Sequence, residues 1–484
     1  MAGKITLLFH SLQFAIFFPI VYGAYLVLSH RLQNRMLLAA SYVFYGAWDW
    51  RYLSLIFIST VVDYLCSHRI EATESAKRKK AFITVSIIAN LSLLGVFKYY
   101  DFFATNFQDL MGNFGLTVHP YFLNVALPVG ISFYTFQTMS YTIDVYRGKI
   151  RAARNFLDFA LYVSFFPQLI AGPIERGTRL LPQILQPRQI TPEHIFRGVY
   201  LFFWGIFLKV FIADNLAKVV DPVFASPGPY DGGNVLLAVY AFALQIYCDF
   251  AGYSFMAIGL GLVMGIHLME NFRRPYFSRN ISDFWRRWHI SLSSWFRDYV
   301  FSPFYIYISN NKRLEGLSYK ARHGIAFFTA LLAAEYLLGF WHGAGWNFGF
   351  FGVYHAIMIW AYYLVRNHWD KMNMFVQIFL TFNLACVGWL IFRATSLEQA
   401  GDMFMSLFQN FQLVPELGLT ATAVKIALFA AILIFVQVFQ DLKNDTFIVL
   451  KWPVPVRSAF IVFIGTLTVV FGDFGDRPFI YFQF

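Results

Sequence analysis

Long apolar runs, separated by short charged loops, recur along the whole chain. A helix needs about 17–25 mainly apolar residues to cross a bilayer. Runs of roughly that length occur near residues 6–29, 37–66, 81–98, 157–172, 198–219, 235–265, 324–341, 347–366, 374–393, 422–440 and 457–472. The run 37–66 is long enough to hold two pieces. The pattern predicts an all-α polytopic membrane protein with about eleven spans.

Two shorter apolar stretches contain helix breakers and polar side chains. They are Ala126–Arg147 and Phe165–Arg176, and both contain proline and glycine. Irregular backbone is tolerated at membrane depth only where protein or water satisfies its polar groups. We therefore expect re-entrant or broken elements around an internal cavity. Three polar residues are expected to face that cavity: Gln137, Glu175 and Asp249.

The composition agrees with a membrane protein. The chain is 58% hydrophobic and only 13% charged, whereas soluble proteins contain about 25% charged residues. The net charge of +11 lies in short basic clusters between apolar runs, which is typical of cytoplasmic loops and not of a nucleic-acid-binding surface. The three cysteines form no C-x-x-C pair, so neither a disulfide framework nor a metal site is predicted.

No soluble domain interrupts the apolar pattern, so we interpret residues 1–484 as a single integral-membrane domain. Residues 1–120 form its N-terminal spans, 121–400 its catalytic core and 401–484 its C-terminal spans. From Arg273 to Arg322 there are ten Lys/Arg and three Asp/Glu. This excess places the segment on the cytoplasmic side by the positive-inside rule.

A basic, tryptophan-rich segment, Asp283–Asp298, lies within that region and reads D-F-W-R-R-W-H-I-S-L-S-S-W-F-R-D. In one continuous helix, four side chains at intervals of four residues would share a face: Trp285, His289, Ser293 and Arg297. Arginine is costly at the bilayer centre, so the segment should lie at the membrane surface or line a wet cavity. Interfacial anchoring or packing is the alternative reading of its tryptophans and arginines.

A second histidine, His342, lies in the segment Gly339–Asn347, where it precedes a glycine. Glycine allows another backbone or a substrate to approach the imidazole closely. Glu335 precedes His342 by seven residues and shares its helix face, so its carboxylate could orient the ring. The alternative is that His342 is a hydrogen-bonded packing residue. Ionisable groups within a membrane favour the functional reading.

These residue types suit acyl transfer. A neutral histidine can accept the proton of an alcohol and so activate it, and arginines can bind a polyanionic donor through its phosphates. Neither a G-x-S-x-G elbow nor an H-E-x-x-H motif is present. The residues expected to line the site are Trp285, Arg286, Trp288, Arg297, Asp298, Trp341, Asn347 and Asp249.

Several motifs resemble one known family, the membrane-bound O-acyltransferases. They are R-R-W-H-I-S-L-S-S-W-F-R-D-Y (286–299), W-H-G-A (341–344), L-P-V-G-I-S-F-Y-T-F-Q (127–137), I-D-V-Y-R-G (143–148), F-P-Q-L-I-A-G-P-I (166–174), D-F-A-G-Y-S (249–254), M-E-N-F (269–272), G-W-L-I-F-R-A (388–394) and the terminal F-I-Y-F-Q-F. The bacterial branch for alginate O-acetylation is most similar, and the branch for D-alanyl transfer to teichoic acid is more distant.

The resemblance implies a helical membrane fold with a central tunnel, in which His342 is catalytic and His289 is the second site residue. It implies acetyl-CoA as a cytosolic donor, with no permanently bound cofactor. An extracytoplasmic partner, an SGNH-like acetyltransferase, would complete transfer to a polysaccharide. The expected location is the bacterial inner membrane, where the protein contacts the lipids. Two departures are Val300–Arg313, which replaces a short glycine-containing turn, and Phe255, where the family has aspartate.

Two other functions are open at this level. A transporter or export channel for polysaccharide or lipid precursors would also contain broken helices and polar groups at membrane depth, although no inverted repeats are visible. A long-chain lipid O-acyltransferase would share the histidines and differ in the length of its acyl pocket.

Overall fold

Every regular element of the described chain is a helix. The computed structural model describes residues 7–411, 417–475 and 477–480, without the side chains of 417–420. No strand occurs within those ranges. The predicted all-α class is therefore confirmed.

The first twelve α-helices are α1 (Leu12–Val27), α2 (His30–Asp49), α3 (Leu53–Glu71), α4 (Ala76–Leu94), α5 (Tyr100–Asn113), α6 (Ile131–Tyr146), α7 (Phe156–Ser164), α8 (Phe166–Leu169), α9 (Gly177–Leu185), α10 (Pro192–Ile206), α11 (Asp214–Phe224) and α12 (Gly232–Val263). The others are α13 (Ile281–Arg287), α14 (Ile290–Phe296), α15 (Ser302–Ser309), α16 (Tyr319–His342), α17 (Trp346–Trp369), α18 (Met374–Arg393), α19 (Leu397–Gln409), α20 (Leu417–Lys443) and α21 (Val454–Phe471). Segments of π-helix are Gly95–Tyr99, Phe207–Ala213 and Arg297–Phe301, and 3-10 turns are Trp50–Tyr52, Pro275–Phe277, Lys312–Leu314 and Ile448–Lys451.

Nine helical stretches of the described residues are long and apolar enough to cross a membrane, and α1 is a shorter apolar helix. The expected count of eleven is not confirmed. The run 37–66 does consist of two pieces, α2 and α3, joined by the turn Trp50–Tyr52. The predicted span at 157–172 is wrong: it contains α7 of nine residues and α8 of four, with non-helical Phe165 between them and Pro167 in the first turn of α8.

The chain divides into two compact units. Unit 1 comprises Met1–Phe202 with Ser254–Met269, and unit 2 comprises Phe203–Tyr253 with Glu270–Phe484. The second unit contains both histidines identified in the sequence.

In unit 1, a buried polar cluster joins α3, α4 and α6. Asp63 is fully buried, and its carboxylate accepts hydrogen bonds from Ser86 Oγ, from Asn90 Nδ2 at 2.7 Å and from Thr142 Oγ1 at 2.7 Å. Ser59 Oγ donates to Asn90 Oδ1 at 2.7 Å. We call these five residues the Asp63 cluster. Within an apolar interior, these hydrogen bonds remove the free-energy penalty that an unpaired polar group would cause.

The two stretches with helix breakers both belong to unit 1, and each is irregular in part: residues 126–130 precede the regular helix α6, and Phe165–Arg176 contains only the short α8. Gly130 has φ of +78°, and a Cβ there would lie 2.7 Å from the carbonyl oxygen of Leu169, so only glycine allows this approach. Gln168 Nε2 donates to Gln137 Oε1 at 3.1 Å, and Gln137 Nε2 donates to the Tyr162 carbonyl. Gln137 and Gln168 are thus hydrogen-bonded to each other and to the Tyr162 carbonyl.

Candidate functional site

The basic segment Asp283–Asp298 is not one helix, and that prediction is wrong. Helix α13 ends at Arg287 and α14 begins at Ile290, and between them His289 has a left-handed φ of +43°. The break is held by Asn271, whose carbonyl accepts from Ile290 N–H at 2.9 Å and whose Oδ1 accepts from Ser291 Oγ at 2.9 Å. Because of this break, the imidazole of His289 is fully buried.

His289 and His342 lie together in unit 2, with ring centroids 6.3 Å apart. His342 is the last residue of α16 and is 4% exposed. Trp341 packs against both rings, at 5.9 Å from His289 and 5.1 Å from His342. Phe250 meets the edge of His289 at 4.6 Å, and Phe392 meets His342 at 5.3 Å. The two histidines thus share an aromatic enclosure, which we call the histidine pair.

The environment keeps His289 neutral. Burial lowers the pKa of His289 well below its usual value, and the nearby His342 lowers it further. A neutral imidazole can accept a proton or donate a hydrogen bond, depending on its tautomer. His289 therefore has the protonation state that a general base requires at physiological pH.

A cavity of about 410 Å³ is lined by residues of α13 and α14, the helices that flank His289, and of α16, the helix that ends at His342. Three lining residues are close to the histidines in sequence: Trp285, Ile290 and Leu338. Two exposed arginines, Arg286 and Arg297, lie at its rim, and Ser282, Ser293 and Ser294 also line it. Its other lining residues are mostly apolar: Phe296, Phe301, Phe327, Leu331, Ala334, Ile359 and Tyr363, with Glu335 among them. We call this space the arginine-rimmed cavity.

Glu335 lines this cavity and does not orient His342. Among the described residues its side chain makes no hydrogen bond or ion pair, and its Oε2 is buried. Trp285 Nε1 is likewise buried without a hydrogen-bond partner in the described chain. The predicted hydrogen bond from Glu335 to the imidazole is therefore absent.

Asp249 belongs to a different site, which the sequence analysis did not identify. Lys209 Nζ lies 2.6 Å from Asp249 Oδ1 and 2.8 Å from Asp214 Oδ1, and all three side chains are buried. Asp249 Oδ2 also accepts from Ile480 N–H at 2.8 Å. We call Lys209, Asp214 and Asp249 the Lys209 cluster. A lysine within the apolar run 198–219 was the signal that could have identified it, since buried charges in membrane segments are rare.

The Lys209 cluster lines a second cavity of about 200 Å³, together with Asp221, Gln245, Arg393 and Arg477. Two helices connect it to the histidine pair. On α12, Asp249 lines the cavity while the next residue, Phe250, contacts His289. On α18, Arg393 lines the cavity while the preceding residue, Phe392, contacts His342.

The other expected site residues have varied positions. Trp288 is buried against Trp389 at 4.6 Å and lines neither cavity. Asn347 is buried, and its Nδ2 donates to the Ala394 carbonyl at 2.9 Å. Arg297 is paired with Asp298 at 2.9 Å. The described residues include no group of three or more His, Cys, Asp or Glu that could hold a metal ion.

Comparison with known proteins identifies related sequences. A family model for the membrane-bound O-acyltransferases matches residues 149–398, a range that includes both histidines. A protein named probable alginate O-acetylase, from Azotobacter vinelandii, is 40% identical over 399 residues, which cover 81% of this chain and 76% of that protein.

Two less similar relatives are named for other acceptor molecules, peptidoglycan and teichoic acid. A peptidoglycan O-acetyltransferase of Helicobacter pylori is 34% identical over 431 residues, covering 82% of this chain and 78% of that protein. A teichoic acid D-alanyltransferase of Bacillus subtilis is 30% identical over 279 residues, covering 54% of this chain and 68% of that protein.

Proposed function

Since the chain belongs to the membrane-bound O-acyltransferase family, we propose that its histidine pair transfers an acetyl group from acetyl-CoA to a hydroxyl group. The chain is an acyltransferase by this membership, and it is a multi-pass membrane protein. The observation that supports the proposal is the pair of buried imidazoles with ring centroids 6.3 Å apart, which lie on or between helices that also line the arginine-rimmed cavity.

The reaction needs one proton acceptor and one leaving thiolate. His342 takes the proton of the acceptor hydroxyl as its oxygen attacks the thioester carbonyl. The carbon–sulfur bond then breaks, the ester forms, and the proton passes to the sulfur of coenzyme A. His289, held neutral by burial, adds no positive charge that would weaken His342 as a base.

The donor enters from the cytosolic side in this proposal. Arg286 and Arg297 are exposed at the rim of the cavity, within the segment whose basic excess indicates the cytoplasmic side. Guanidinium groups bind phosphates through two parallel hydrogen bonds, so they suit the phosphates of coenzyme A. A continuous tunnel to the other face is part of the proposal.

The acceptor is a cell-surface polysaccharide of the alginate or peptidoglycan kind. This assignment follows the names of the O-acetylating relatives. From the resemblance of the motifs, an extracytoplasmic SGNH-like acetyltransferase partner completes the transfer, and the membrane is the bacterial inner membrane.

The test is acetyl transfer from radiolabelled acetyl-CoA by the purified, reconstituted protein. The wild type should release coenzyme A, and His342→Ala should lower the rate by about 100-fold or more, the usual contribution of a general base. His355→Gln is the matched control, because His355 is also a buried histidine but lines neither cavity.

Size-exclusion profiles of the variants would confirm that each is folded. Equal rates in the wild type and in His342→Ala would contradict the catalytic role. If no acetyl-CoA were bound or turned over, even with candidate partners present, the transporter interpretation would come first.

A further inference from the structure

A further cavity, of about 400 Å³, lies among α11, α12 and α20 and contains two lysines. Lys218 and Lys425 line it, together with the polar side chains of Asn215, Asn234 and Thr422. Its other lining residues are apolar: Val219, Val223, Leu237 and Phe429. These described residues line neither of the other two cavities. We call this space, which is distinct from the candidate active site, the two-lysine cavity.

The two lysines differ in their pairing. Lys218 Nζ lies 3.1 Å from Asp473 Oδ2 and donates to Asn215 Oδ1 at 3.3 Å. Lys425 makes no ion pair or hydrogen bond with the residues that the structure describes. An ammonium group has three donor hydrogens, so Lys218 retains one for a further acceptor and Lys425 retains all three. With one carboxylate beside two ammonium groups, the cavity has an excess of positive charge and favours an anion.

The lysines lie near the ends of helical stretches that are long and apolar enough to cross a membrane. Lys218 precedes the end of α11 by six residues and Lys425 follows the beginning of α20 by eight, which correspond to about 9 and 12 Å along a helix. Lysine in a spanning segment is costly unless its long stem brings the ammonium group to the lipid headgroups. The cavity therefore lies at the depth where phosphates meet acyl chains.

Apolar side chains surround the lysines. On α20, Val424 and Leu428 are exposed, and exposed apolar side chains of a spanning helix contact acyl chains. Inside the cavity, Leu237 and Phe429 offer further apolar contacts. A ligand that fills this space must therefore combine a negatively charged group with hydrocarbon.

We propose that the two-lysine cavity binds an anionic phospholipid. The phosphate accepts hydrogen bonds from Lys218 and Lys425, and the first part of the acyl chains packs on the apolar lining. A zwitterionic lipid also has a phosphate, but its own ammonium group competes with the lysines for it. Negative net charge of the headgroup therefore determines the preference. This site is independent of the proposed acetyl transfer.

Lipid titration of the purified, full-length protein in nonionic detergent tests the proposal. Phosphatidylglycerol should raise the unfolding temperature in a saturable manner, because a ligand that binds the folded state stabilises it. Native mass spectrometry counts the lipid molecules that stay bound. Phosphatidylcholine with the same acyl chains should bind about 10-fold more weakly.

Lysine variants measure the contribution of each ammonium group. Lys425→Met should fold normally, since Lys425 has no hydrogen bond or ion pair within the described chain. It should lower the affinity for phosphatidylglycerol about fivefold, and Lys218→Met combined with Lys425→Met should lower it roughly 30-fold. The matched control combines Lys371→Met with Lys443→Met, which removes two exposed lysines outside the cavity and should leave the affinity unchanged.

A variant with the opposite effect sharpens the test. Asp473→Asn removes the carboxylate beside Lys218, so it should tighten the binding of phosphatidylglycerol by about twofold to fivefold. A merely structural role of Lys218 and Asp473 predicts lower stability and no gain in affinity.

Three results would overturn the proposal. One is equal affinity of the wild type for phosphatidylglycerol and phosphatidylcholine, and another is unchanged affinity for phosphatidylglycerol in the folded variant that lacks both lysines. The third is binding of inorganic phosphate as tight as that of the lipid, which would make the cavity a site for free phosphate. Acetyl transfer is measured separately, so none of these results bears on the proposed function.

Discussion

A carboxyl group lies among apolar helices both in the Asp63 cluster and at the arginine-rimmed cavity. The two groups differ in the hydrogen bonding of their oxygen atoms. Both oxygens of Asp63 accept hydrogen bonds from neighbouring side chains. Glu335 Oε2 has no such partner in the described chain and lines a cavity. The first arrangement is complete within the protein, and the second leaves an acceptor oxygen available at a cavity. Saturation of hydrogen bonds thus separates a structural buried carboxyl group from one available to a substrate.

The largest expected effect concerns the histidine pair. His289→Ala should lower acetyl transfer by about 100-fold, because it removes the neutral ring that faces His342 within the aromatic enclosure. Transfer from acetyl-CoA, measured per folded molecule, checks this. A loss of activity fully explained by a loss of folded protein would place His289 with Asp63 among the structural groups.

The next effect concerns stability. Asp63→Ala should destabilise the protein by about 3–5 kcal/mol, since it leaves buried donors on Ser86, Asn90 and Thr142 without their acceptor. Thermal unfolding in detergent measures the change. Activity per folded molecule should remain within about twofold of wild type, because the cluster is not part of the site. If Asp63→Ala left the stability unchanged but abolished activity, Asp63 would belong to the functional site and not to the structural groups.

A third carboxyl group, that of Glu175, is intermediate in its hydrogen bonding between Asp63 and Glu335. It is buried, its carboxylate accepts from Met269 N–H, and its Oε2 has no partner in the described chain. Burial raises the pKa of Glu175 to about 7 from its ordinary value of 4.5. The stability that this group contributes is therefore fully present below pH 4.5 and is lost as the pH rises through about 7.

Glu175→Gln should remove this pH dependence. We expect a gain of up to about 3 kcal/mol at pH 8, from the size of the pKa shift, and little change at pH 4. Unfolding curves between these pH values measure the effect, with the exposed Glu398→Gln as control. Parallel curves for wild type and Glu175→Gln would contradict the raised pKa.

The smallest effect concerns a histidine outside the pair. A Cβ at Gly388 would lie 2.5 Å from His355 Nε2, so Gly388→Ala should destabilise the protein by about 1–3 kcal/mol through overpacking. Gly465→Ala is the matched control, because nothing lies within 4 Å of its added Cβ. Thermal unfolding compares the two. Equal stabilities of the two variants would show that His355 can move aside for the added methyl group.

Much of the fold was predictable from local patterns. The predicted span 374–393 coincides with α18, and the run 37–66 splits into α2 and α3 as foreseen. Apolar runs of spanning length determine helices because every backbone hydrogen bond is made within the segment itself. The span predicted at 157–172 failed, since it runs across Phe165 and Pro167, which belong to the stretch whose helix breakers had already indicated a broken element.

The site was predictable only in part. His289 and His342 were identified as residues, and they prove to be neighbours. The Lys209 cluster was missed, because Lys209 and Asp249 are 40 residues apart and meet only when the π-helical segment Phe207–Ala213 lies against α12.

By itself, the sequence determined the helical class, the membership of the acyltransferase family and the two histidines, since these depend on composition and on contiguous motifs. Only the tertiary structure decided the conformation of His289, because the acceptor groups that hold the break come from Asn271, outside the segment. It also decided the role of Glu335. Helical spacing placed that carboxyl group on the face of His342, but packing of α13, α16 and α17 left it in a cavity, where hydrogen bonding depends on which atoms come near and not on spacing along one helix.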